Sequence, residues 1–130
     1  YRSSRGLGDV YKRQMSITPR GIGPYRIGRP RAEIAALPDA TPAEDGSVAF
    51  RGIVVRFAED VACEVEMTIP GLTSASGMEV GLPLSEFTRA HGDITEQDGL
   101  LTFANAAWLR ATSDGGEPPR AASIVLGACD

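Results

Sequence analysis

The sequence predicts an α+β domain, two tandem helix-plus-three-strand repeats forming one antiparallel sheet with short helices on one face. Three observations carry this expectation. Shifting the chain by 53 places Gly28 on Gly81, Pro30 on Pro83, Glu33 on Glu86, Asp45 on Asp98, Gly46 on Gly99, Phe50 on Phe103 and Ala58 on Ala111 without a gap. Residues 62–69 alternate, with Cys63, Val65, Met67 and Ile69 on one side and Ala62, Glu64, Glu66 and Thr68 on the other. That is the period of a strand with one covered and one wet face. Finally, Asp-Gly steps at Asp45-Gly46 and Asp98-Gly99 precede paired apolar runs, as a turn into a hairpin requires.

The elements follow in order. In the first unit a short extended piece at 25–27 ends at Gly28, and Pro30 suits the first turn of a helix over 30–37 because its φ is already helical. Pro38 stops that helix. A hairpin of 47–50 with 53–58 comes next, then a third strand over 62–69. The second unit repeats the order: 78–80, a helix over 83–91 stopped by Gly92, a hairpin of 100–103 with 106–112, and a strand over 121–126. The shift also aligns Gly52 with Asn105, the two residue types best able to take a left-handed φ, which predicts one tight turn in both units. The segment 113–120, SDGGEPPR, is a polar loop added to the second unit. The joining segment 70–77 is too short to separate two domains. Residues 15–130 therefore read as one pseudo-symmetric domain, with repeats at about 21–69 and 74–126.

Residues 1–14, YRSSRGLGDVYKRQ, share none of this periodicity. They contain no apolar stretch for secretion and no amphipathic Arg/Ser helix for organelle import. Residues 4–14 can be written in one frame as codons ending ATGTGTATAAGAGACAG, which resembles the mosaic end of a transposase-based sequencing adapter. The segment is accordingly read as translated adapter sequence and left out of the functional argument. Localisation then turns on Met15: extracytoplasmic if it is internal and a signal peptide was lost, cytoplasmic if it is the true start.

Composition excludes several chemistries. Thirteen basic residues less the four in 1–14, against seventeen acids less one, leave a formal charge of −7. An acidic domain without a basic run attracts neither nucleic acid nor an anionic membrane. Lys12 is the one lysine in the chain, so the remainder offers no P-loop lysine, no Schiff-base lysine and no Ser-x-x-Lys pair. No apolar run reaches the 18 or so residues that span a bilayer. Two cysteines and one histidine cannot supply a four-ligand Cys/His zinc site. Neither cofactor nor metal is expected.

The stretches GIGPYRIGRPRAEI and SGMEVGLPLSEF, followed by strands such as IVVRFAEDVACEVEM, resemble small envelope-protein modules of the BamE/SmpA type. They are also similar to the tandem-repeated β-lactamase-inhibitor-protein-like fold. The resemblance covers residues 17–126 and rests on loose structural motifs. It implies a sheet face that binds a protein partner, and no binding residue maps position by position.

Each candidate residue has a simpler role beside the functional one. GIGPYRIG has glycines at 21, 23 and 28 and so misses G-x-G-x-x-G, which leaves its glycines as turn positions. His91, with Ser85 or Asp93, has the makings of a general base, yet its place before Gly92 suits a cation meeting the helix dipole. Glu59/Asp60 and Glu96/Asp98 fall in turns and lack calcium-loop spacing. Cys63 packs as a buried thiol or bridges Cys129 in an oxidising compartment. Arg56, Trp108 and Arg110 are the candidate partner-binding residues, since Trp and Arg dominate interface hot spots, while Trp108 has the simpler role of filling core volume at the position equivalent to Val55. The expected function is a non-enzymatic bacterial protein-binding or structural module. The alternative is a small enzyme or ligand-binding domain with a pocket between the two repeats.

Overall fold

The computed structural model of the chain describes residues 16–74 and 77–129, so the adapter reading of 1–14 lies outside the described residues. In chain order the elements are β1 (Ile17–Thr18), β2 (Gly21–Ile22), β3 (Tyr25–Arg26), α1 (Arg31–Ala35), β4 (Thr41–Pro42), β5 (Val48–Phe50), β6 (Ile53–Ala58) and β7 (Val61–Met67). There follow α2 (Leu84–His91), β8 (Ile94–Gln97), β9 (Leu100–Phe103), β10 (Ala106–Ser113) and β11 (Ala121–Gly127).

Tight turns build the larger sheet. Arg51 and Gly52 take φ of 45° and 83° between β5 and β6, and Glu59 and Asp60 take 54° and 64° between β6 and β7. Two successive residues at positive φ give the turn whose twist matches that of the flanking strands. Asp98 and Gly99 repeat this between β8 and β9, at 55° and 81°. The β9–β10 turn departs from expectation, because Asn105 does not enter the left-handed region. Its N–H instead donates to the His91 carbonyl at 2.8 Å, and that of Ala104 to the Asp93 carbonyl at 3.0 Å, docking the turn on the end of α2.

The eight strands run β4-β5-β6-β7-β11-β10-β9-β8, antiparallel throughout, so two four-stranded meanders meet at β7 and β11. β1, β2 and β3 form a separate three-stranded sheet. This overturns the α+β expectation of helix-plus-three-strand repeats. The protein is mostly β, with helices of only five and eight residues among the described residues. Each meander has a fourth strand, β4 or β8, at the outer edge of the sheet. Segment 78–80 forms no strand. The sequence pattern missed the added strands for a physical reason. β4 and β8 each have one neighbour and are mostly exposed, so no apolar alternation marks them.

One face of the larger sheet is covered. Val55, Val65, Leu109 and Leu126 belong to a single core cluster with Ile34 of α1, Phe87 of α2, and Ile22 and Tyr25 of the small sheet. Tyr25 stacks on Phe50 at 5.1 Å between ring centroids, and Phe87 on Phe103 at 5.8 Å. Neither helix has a side-chain cap. Each prolines's residue, Pro30 and Pro83, stands at the cap position, one residue earlier than its expected place in the first turn. The first helical N–H of each donates instead to a carbonyl ahead of the last strand of its meander: Arg31 to Asp60 at 2.7 Å, Leu84 to Pro119 at 3.0 Å.

The alternation expected over 62–69 holds at Val65 and Met67 and fails at both ends. In the β6–β7 register Phe57 faces Ala62 and Arg56 faces Glu64, which leaves Cys63 unopposed in a bulge. The bulge turns Ala62 into the core and Cys63 out of it. Ile69 lies beyond the end of β7 and is 43% exposed. Among the described residues no helix is long and apolar enough to cross a membrane.

Candidate functional site on the open sheet face

Alternation sends the other parity of side chains to the opposite face of the larger sheet. Val54, Glu66, Val125 and Arg110 form one register row across β6, β7, β11 and β10, and Arg56, Glu64 and Gly127 form the next. Arg56 donates to Glu64 Oε2 at 2.5 Å and to Glu66 Oε1 at 2.7 Å. From the other meander, Arg110 pairs with Glu64 Oε1 at 3.3 Å and donates to the Gly127 carbonyl. Glu64 therefore bridges two guanidiniums, one from each half of the sheet. Its side chain and those of Glu66 and Arg110 are less than one fifth exposed, whereas Arg56 is 42% exposed. Burial works against the Arg56 charge, but the hydrogen bonds to Glu66 and Glu64 outweigh it and hold the guanidinium above its ordinary pKa. Thr112 and Ser123 share a further hydrogen bond of 2.7 Å on the same face.

Trp108 is not part of this network. The β9–β10 register shifts between Ala106 and Arg110, and Trp108 lies half-buried in that irregular stretch. Its ring meets that of His91 edge-on at 5.6 Å, and His91 meets Phe103 at 6.3 Å. Burial pushes the His91 pKa down, which works against the cation expected to answer the helix dipole, and the ring packs on Phe103 and Trp108. Of the three candidate binding residues the structure joins Arg56 and Arg110 through Glu64 and sets Trp108 apart. Glu64 and Glu66 were missed as site residues. Their wet-side parity was readable; Arg56 reaches both from the neighbouring β6, and the Arg110–Glu64 contact depends on β7 lying beside β11.

At one end of the network Cys63 is bridged to Cys129, with Cα atoms 5.0 Å apart, which settles the two roles open to Cys63. Beside the bridge is a cleft of ≈ 230 Å³ lined by Arg31, Asp45, Ser47, Arg56, Phe57 and Cys129, together with the Gly46 backbone. Arg31 lies over the Phe57 ring at 4.9 Å and donates to the Gly46 carbonyl at 2.7 Å. Its Nε is 3.0 Å from Asp60 Oδ1 without hydrogen-bond alignment, so that pair is one of charge only. Asp45 accepts from the Ser47 hydroxyl and N–H, which lower its carboxyl pKa. A second, more apolar groove of ≈ 180 Å³ lies by Ile53, Met67 and Ile69. His91 lines neither. Gly21, Gly23 and Gly28 take positive φ around the small sheet, as turn positions do. Glu96 is exposed on β8, and Asp98 occupies the β8–β9 turn. Among the described residues no three His, Cys, Asp or Glu side chains gather to hold a metal ion.

The fold has a solved counterpart. It is similar to the uncharacterized protein yfeY from Escherichia coli, with a TM-score of 0.61 and 12% identity, over 87% of this chain and 99% of that one. At that identity the likeness is one of fold. No protein-family model matches the chain, and no curated protein matches it.

Proposed function

We propose that the protein is a non-enzymatic binding module that takes another protein on the open face of its eight-stranded sheet. The observation that carries this reading is the asymmetry between the two faces. One is apolar and covered by α1, α2 and the small sheet; the other carries Arg56, Glu64, Glu66 and Arg110 in a fixed polar array, with Arg56 42% exposed and the other three mostly buried. Ion pairs held in register preorganise hydrogen-bonding groups for a partner, which reduces the ordering cost of binding. The resemblance to BamE/SmpA-type and β-lactamase-inhibitor-protein-like modules implies the same use of a sheet face. A small enzyme with a pocket between the halves would want His91 beside acids in a cleft, and His91 is packed on Phe103 and Trp108 instead. The Cys63–Cys129 bridge supports an oxidising, extracytoplasmic setting.

Site-specific photo-crosslinking tests the reading. A crosslinking side chain at Thr102 on the open face is expected to capture a defined protein partner, and one at Glu33 on α1 is not. Equal capture from both positions, or none from Thr102, removes the proposal.

A further inference from the structure

We propose that the Cys63–Cys129 disulfide is a thiol-exchange site at which a small thiol becomes attached to Cys129. The bridge is asymmetric. Cys129 lines the solvent-open cleft, whereas Cys63 sits in the β7 bulge and does not line it. Both cysteines are half-buried, and Cys129 is the one of the two that a thiolate in the cleft adjoins. The cleft suits the anionic character of the exchange, because charge is shared among three sulfurs at the transition state and guanidiniums stabilise it. Arg31 and Arg56 both line the cleft with Asp45; Arg56 is already held by Glu64 and Glu66, so the guanidinium that answers the incoming anion is Arg31, whose ion pair with Asp60 carries no hydrogen bond.

The step balances as follows. The incoming thiolate forms a bond to the Cys129 sulfur, the bond between the two cysteines breaks, and its electron pair leaves with Cys63 as a thiolate. That thiolate takes a proton from water. The Cys63 sulfur lies 3.4 Å from the Arg56 carbonyl oxygen, within the range at which an S–H donates to it, so the opened form gains a partner for the new thiol. The tail is freed at the same time. Pairing of β11 with β7 ends at Gly127↔Glu64, and past that point the disulfide ties the chain to the sheet.

Reduced glutathione added to the oxidised protein is the probe, with acid quenching, alkylation of free thiols and peptide mapping. The expected result is glutathione on Cys129 and the alkylating label on Cys63. The reverse pattern, an even split, or exchange that starts only once the protein is unfolded in urea overturns the proposal. A second measurement compares single thiols: Cys129 in Cys63→Ala is expected to react with an aromatic disulfide reagent at least about tenfold faster than Cys63 in Cys129→Ala. Arg31→Gln is expected to slow glutathione attack about fivefold, an effect that shrinks as salt is raised. A rate unchanged by Arg31→Gln at low salt contradicts the electrostatic part of the mechanism.

Discussion

Gly127 is where the sheet, the tail and the charge network meet. Its φ is 74°, and a Cβ there would lie 2.5 Å from the Cys63 carbonyl oxygen and 2.5 Å from Ile27 Cδ1. Gly99 has a similar φ of 81° with open space around it. Gly99→Ala should therefore cost about 1 kcal/mol of left-handed strain, while Gly127→Ala adds a backbone clash and should cost roughly 3 kcal/mol or more. Urea midpoints of the two variants check the difference. Glu64 offers a second contrast. It holds Arg56 and Arg110 together, whereas Glu66 holds Arg56 alone. Glu64→Gln is expected to destabilise by about 1–3 kcal/mol and Glu66→Gln by less, measured the same way. His91 sets a pH dependence. Its folded pKa is depressed below the ordinary value of 6.5, so the unfolded chain binds the extra proton first. Stability is full above that value and falls as pH drops through the folded pKa. His91→Gln should flatten the stability profile between pH 7 and 5; an unchanged slope would mean that another group titrates there.

Among the elements, the disulfide is the strongest single tie. It joins positions 66 residues apart, and closing a loop of that size restricts the unfolded chain by about 4 kcal/mol. Reduction, or Cys63→Ala with Cys129→Ala, should lower the unfolding free energy by that order in guanidinium titrations. Element identity was readable in part. The proline and glycine punctuation located both helices, and the Asp-Gly and Gly52 turns located the hairpins, because these signals act within a few residues. Of the small sheet, the extended piece at 25–27 was read and is β3, while β1 and β2, two residues each, carry too little pattern to register. β4 and β8 were hidden by edge exposure, which erases the period of two. The bulge at Cys63 was equally hidden, since one inserted residue reverses the parity of everything before it while the string of amino acids still alternates. Arg56 and Arg110 could be singled out by type, but their meeting at Glu64 required the order of strands in the sheet.

At the level of the whole molecule, the two meanders share a core, a central strand pair and a covalent bridge, so they should unfold together. Trp108 reports on the second meander alone, while far-ultraviolet circular dichroism reports on both. The two signals are expected to give coincident urea transitions. A tryptophan transition displaced from the dichroism curve would show that the halves are separately stable. The mostly β architecture also places the polar network where the halves join, so that a charge removed at Glu64 affects both.

The strand order has a consequence for how the chain is born. β7 is finished early, but its neighbour β11 is the last of the described strands to leave the ribosome, more than fifty residues later. Until then the first meander presents β7 as a raw border on which a neighbouring nascent chain could zip. Two carboxylates, Glu64 and Glu66, stand on β7 along that border, and charge on an edge strand discourages such pairing. Glu64 and Glu66 thus serve the molecule twice: first as chaperones of an unfinished seam, and then, when the arginine of β10 arrives, as its clasp.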